Sequence, residues 1–75
     1  MPQASDELRA KMAEYFGGDG INDHPPMKFL LEDKGWRCRA GMLLKPKKRD
    51  ISQKEWDCVA FLCDEWDHGY DPALS

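Results

Sequence analysis

At 75 residues, with a third of its side chains charged and 41% apolar, the chain has room for one small core and too much apolar content for disorder. No apolar run is long enough to cross a bilayer, and the opening MPQASDELRAK has no apolar signal core. The formal net charge of −3 conceals a division. Residues 1–33 carry three basic and seven acidic side chains, residues 34–49 seven basic and none acidic, and residues 50–75 one basic and seven acidic. Such asymmetry bears on partners more than on fold. Three cysteines cannot pair completely within the chain, which suits a reducing, cytoplasmic setting. A single domain over 1–75 is expected, with its core at about 5–70 and tails at 1–4 and 71–75.

Ser5 is a good N-cap, and Asp6 and Glu7 follow it where the helix dipole favours acids. Leu8, Met12 and Tyr15 keep helical spacing until Gly17-Gly18, so the first helix is predicted at 6–16. GGDGINDH reads as a loop. Its DGIND has an acid at either end, but Ile21 breaks a calcium-loop pattern. Pro25 and Pro26 fit the first turn of a second helix and Gly35 its end, with Met27, Leu30 and Leu31 as the buried stripe.

The pattern then changes period. Trp36, Cys38 and Ala40 alternate with Arg37 and Arg39, which predicts a strand with the first three facing inward. Gly41 is a turn residue, and Met42 to Lys45 form a return strand that Pro46 ends. Ser52 and Glu55 then make a capping box, with Ile51 and Trp56 placed as a hydrophobic staple. A third helix is predicted at 53–68, stopped by Gly69. The fold class expected is α+β, a small single domain ordered helix–helix–β-hairpin–helix.

Cys58, Cys63 and His68 recur every five residues and invite a metal reading. Five helical residues rotate by about 140°, so the three point to three sides, whereas ligands on one helix stand three or four apart. No metal and no cofactor are expected. Cys38 and Cys63 read as small core residues, and His68 as a partner for the helix C-terminal dipole. Acids around Cys58 disfavour its thiolate, and no set of Ser, His, Cys and Asp is brought together by local spacing, so no catalysis is expected.

Two surfaces remain. On the third helix, Trp56, Val59, Ala60, Cys63 and Trp66 are assigned to the core. Asp57, Phe61, Asp64, Glu65 and His68 fall on the opposite arc, an aromatic anchor within an acidic rim that suits a protein partner with a basic surface. Carboxylates three and four apart offer partial nucleic-acid mimicry. On that reading, Phe61→Ala combined with Asp64→Lys abolishes partner binding and leaves the thermal midpoint nearly unchanged. A scattered aromatic on an ordinary charged face, or one covered by the first helix or by the segment around Tyr70, is the competing reading. The other surface is the basic block, where Arg37, Arg39, Lys45, Lys47, Lys48 and Arg49 could follow a nucleic-acid backbone. Lysines that merely protect an edge strand would look the same.

Gly35-Trp36, Gly41, Pro46 and the acid-rich closing helix together resemble small accessory proteins of phages and other mobile elements, over about residues 35–66. Anti-CRISPR and host-takeover inhibitors are proteins of this kind. The resemblance implies an inhibitor or adaptor acting in the host cytoplasm by occupying the surface of a larger host machine, one that handles nucleic acid. A DNA- or RNA-binding module using hairpin 34–49, or an assembly subunit, are the alternatives. A monomer or a homodimer suits any of these, and none needs a membrane.

Overall fold

The computed structural model describes residues 4–18 and 22–74. Helix α1 spans Asp6–Phe16, and Ser5 Oγ accepts the Leu8 amide at 3.1 Å, as the N-cap pattern requires. Residues 19–21 of the expected loop, with Asp19 and Ile21 of its DGIND, lie outside the described residues. Helix α2 occupies His24–Lys28 and continues as a π-helical segment over Phe29–Asp33. Gly35, at φ +75°, closes it, and the Trp36 amide reaches back six residues to the Leu30 carbonyl at 2.9 Å. This stop, which the positive φ of the glycine makes possible, is one residue wider than a Schellman motif because the segment it ends is π-helical.

Strands β1 (Arg37–Arg39) and β2 (Met42–Leu44) pair antiparallel, with Arg37 opposite Leu44, Cys38 opposite Leu43 and Arg39 opposite Met42. Ala40 and Gly41 turn the hairpin, both at positive φ, the geometry that matches the twist of two-residue hairpins. Helix α3 runs Gln53–Trp66, with the capping box intact. It ends two residues sooner than its sequence suggests, because Asp67 takes the left-handed conformation and the His68 amide bonds the Leu62 carbonyl at 3.1 Å. The chain then returns to the sheet. Strand β3, Gly69–Tyr70, lies parallel to β2, giving the order β1-β2-β3, and a 3-10 turn follows at Pro72–Leu74. The fold is the expected small α+β domain with this extra strand. Gly69 sits under Met42, whose sulfur occupies the place that a Cβ would take there.

One cluster forms the core: Ala4, Met12, Leu30, Trp36, Leu43, Cys58, Val59, Phe61 and Leu62. Ala4, expected in a tail, is buried and its amide donates to Glu65 at 2.9 Å; residues 1–3 and 75 of the expected tails lie outside the described residues. The alternation in β1 holds only for Trp36, which precedes the strand. Cys38 and Ala40 are exposed, a correction to their inward assignment. The core covers the central strand β2, where Leu43 is fully buried, and stops short of β1, all three residues of which face solvent.

Two aromatic groups flank α3. Trp36, Trp56 and Tyr70 meet edge-on or tilted at 5.6–6.0 Å between centroids. On the other group, Lys54 Nζ stands 4.5 Å from the Phe29 ring centre and 5.3 Å from those of Tyr15 and Phe16. That distance is within the range at which a ring face attracts a cation.

Candidate functional site

The acidic arc of α3 is not the surface that its sequence suggests. Phe61 is fully buried, so the proposed anchor is part of the core. The buried positions Glu55, Cys58, Val59, Phe61 and Leu62 cover an arc of roughly 160° at about 100° per residue. The reason is α1, which packs along the side of α3 that was assigned to solvent. Two of the acids there bond to α1. Asp57 accepts the Tyr15 hydroxyl at 2.7 Å, and the Gln53 amide on its own helix at 3.0 Å. Glu65 accepts Arg9 Nη2 at 2.9 and 3.0 Å as well as the Ala4 amide. The backbone hydrogen bond from Ala4 and then the Arg9 guanidinium hold the Glu65 carboxyl below the usual range. The hydrogen bond to Asp57, with burial adding to it, pushes the Tyr15 hydroxyl up to about 12. Asp64 remains exposed, and His68 is half-buried. Trp66, assigned inward, is instead 40% exposed, between Asp64 and Asp67.

Cys58 is fully buried, and burial pushes its thiol up to about 12, which makes it a poor nucleophile. Cys63 is half-buried. Among the described residues, no three His, Cys, Asp or Glu side chains are grouped so as to hold a metal ion.

The basic block is arranged differently. Arg37 and Arg39 are exposed on the edge strand β1, two positions apart and therefore on one face of it. The register sets Leu44 and Met42 opposite them on that same face, both half-buried, so the two arginines rim an apolar strip. Lys47 and Lys48 are exposed in the following loop, which with Lys34, Gly35, Pro46 and Arg49 lines an open depression of about 470 Å³. Lys45 is half-buried.

Arg49 is committed elsewhere. Its guanidinium bonds the Lys34 carbonyl and both carboxylate oxygens of Glu55, at 2.6 and 3.2 Å. Glu55 is 1% exposed and also accepts the Trp36 indole N–H at 3.0 Å and the Ser52 amide and hydroxyl at 2.8 Å each. Burial alone would raise the Glu55 carboxyl. The hydrogen bonds from Arg49, Ser52 and Trp36 outweigh it and hold the group at about 2. Arg49 thus pins the loop carrying Lys47 and Lys48 to the start of α3 and to the residue that leads into β1.

A family model described as "Phage Pam3 gp59 related protein" matches residues 1–74. The chain belongs to that family. Comparison with curated proteins and with solved structures found no match. Membership in the Pam3 gp59 related family fits a phage accessory protein and extends the phage resemblance from residues 35–66 to nearly the whole chain. No helix among the described residues is long and apolar enough to cross a membrane.

The sequence pattern missed Met42 and Leu44 as members of a surface with Arg37 and Arg39. The signal was present in the turn, since a two-residue turn at Ala40-Gly41 dictates the pairing of 39 with 42 and 37 with 44. It also missed that Arg49 serves Glu55. A basic residue just before a capping box whose glutamate turns inward is the pattern to look for.

Proposed function

We propose that this phage-family protein is a non-enzymatic binding protein of the host cytoplasm that grips nucleic acid through its basic hairpin. The supporting observation is the exposure of Arg37, Arg39, Lys47 and Lys48 within a segment, 34–49, that contains no acidic residue. Charge of one sign on a projecting edge is what draws a phosphate backbone. The exposed Asp33 and Asp50 border the segment at its two ends, whereas the acids beside the sheet stand away from the arginines. Asp67 and Asp71 flank β3, two strand spacings or roughly 10 Å from β1. The competing acidic helix face has lost its aromatic to the core and two carboxylates to internal bonds.

Titrating labelled DNA and RNA at low and moderate salt tests this reading. Binding that falls steeply with salt, and disappears when Arg37, Arg39, Lys47 and Lys48 are all changed to Ala, is the expected result. The four side chains are exposed, so the variant is expected to melt close to the parent. Absence of binding even at low salt ends the proposal.

A second reading, a protein partner with a basic surface, rests on Trp66. An exposed tryptophan between Asp64 and Asp67 has the composition of an interface anchor. A partner whose binding is lost with Trp66→Ala and Asp64→Lys, yet tolerates the hairpin changes, would move the working surface there.

A further inference from the structure

Resting on the nucleic-acid reading above, we propose that the hairpin's target is a duplex, held by its phosphates without reading of base sequence. Single-stranded binders combine a basic groove with exposed aromatic rings on which bases stack. The one aromatic in residues 34–49 is Trp36, and it is 2% exposed. Its indole N–H is donated to Glu55 and its ring is held by Trp56 and Tyr70. Swinging it out to meet a base would leave a buried carboxylate short of a donor, a costly exchange. The exposed tryptophan, Trp66, offers no alternative, because it stands on α3 outside the basic segment, in a stretch, 50–75, with seven acidic side chains and one basic.

Sequence reading has equally little to work with. Residues 34–49 contain no Asn, Gln, Ser, Thr, Asp or Glu. Recognition of adenine and cytosine edges relies on such side chains, whereas Arg and Lys serve phosphates and guanine. The backbone that carries the cations is also held in place. Arg37 and Arg39 ride on a paired strand, and the loop of Lys47 and Lys48 is tied down by Arg49 through Lys34 and Glu55. Charges set out from a fixed backbone suit a target whose phosphates are themselves regularly spaced, which a duplex supplies and a flexible single strand does not. Met42 and Leu44, lying between the arginines and the body of the sheet, would then face sugar edges.

The four exposed cations set the expected salt response. Four neutralised phosphates give a slope of log K against log salt of about −3.6 on duplex, so a fourfold rise in salt weakens binding about 150-fold. The same four on a single strand give about −2.8, or about 50-fold.

Fluorescence anisotropy on the full chain tests the proposal with labelled duplex DNA of two unrelated sequences, duplex RNA, and a non-pairing single strand, all of equal length. The expected result is binding to at least one duplex form about tenfold tighter than to the single strand, since no stacking supports the latter. The two DNA sequences are expected to agree within about threefold, and the duplex slope to lie near −3.6. The DNA and RNA arms then tell which duplex is preferred. Equal or tighter binding of the single strand overturns the duplex inference while leaving nucleic-acid binding standing. A difference of about 100-fold between the two duplex sequences overturns the claim of sequence-independent contact. Binding to none of the four removes the nucleic-acid reading itself.

Discussion

Replacing Glu55 by Gln tests the most heavily bonded side chain of the fold. The carboxylate gathers five donor contacts from Trp36, Arg49 and Ser52 while almost wholly out of water. Its carboxyl lies at about 2 rather than 4.5, so the folded state favours the charged form over the unfolded state by about 3 kcal/mol. Because the folded value is the lower one, this stability is fully present above pH 4.5 and is lost as pH falls toward 2. A chain of this length has a total stability of roughly 4–11 kcal/mol, so the loss is a large share. Gln keeps one acceptor oxygen and turns an NH2 group toward donors, leaving part of the set unpaired. The measurement is urea unfolding of parent and Glu55→Gln across pH 7 to 2. Subtracting the two curves removes the other carboxylates. The difference is expected to shrink by about 3 kcal/mol between pH 5 and pH 2. A difference that stays constant over that range would refute the account, since the charge of Glu55 would then contribute nothing to folding.

Phe61→Ala is expected to cost about 3–5 kcal/mol and to lower the thermal midpoint sharply, because the ring is fully buried. A midpoint within a few degrees of the parent would return Phe61 to the surface. Tyr15 is expected to ionise near pH 12 in an ultraviolet titration, and Asp57→Asn is expected to bring it down toward 10. A Tyr15 that titrates at 10 in the unaltered chain would show that the hydroxyl is not held by Asp57.

What could be read from residue order was local. Ser5, the Ser52–Glu55 box and Gly35 act within a single helical turn, and their helices begin or end where those residues place them. The hairpin followed from the change of period and one glycine, although the alternation misplaced Cys38 and Ala40. The side of α3 that is buried did not, because it depends on contacts with a helix far away in the chain: Tyr15 with Asp57 and Arg9 with Glu65, separated by 42 and 56 residues. Charged residues at helical spacing look the same whether they meet water or a partner helix. Strand β3, at two residues, is too short to display a period. Of the candidate surfaces, the basic block was legible because charge excess needs no tertiary information. The withdrawal of Arg49 into the Glu55 cluster needed it.

The contacts between the chain's two ends also set an order of events. Arg9 and Ala4 find their acceptor on Glu65, and the hairpin turn is tied at Gly41 by the amide of Gly69. A chain emerging from the ribosome therefore holds its first helix and its basic hairpin without their closing partners until those later residues appear. The domain is completed only once the segment from Glu65 to Gly69 is available to close both elements.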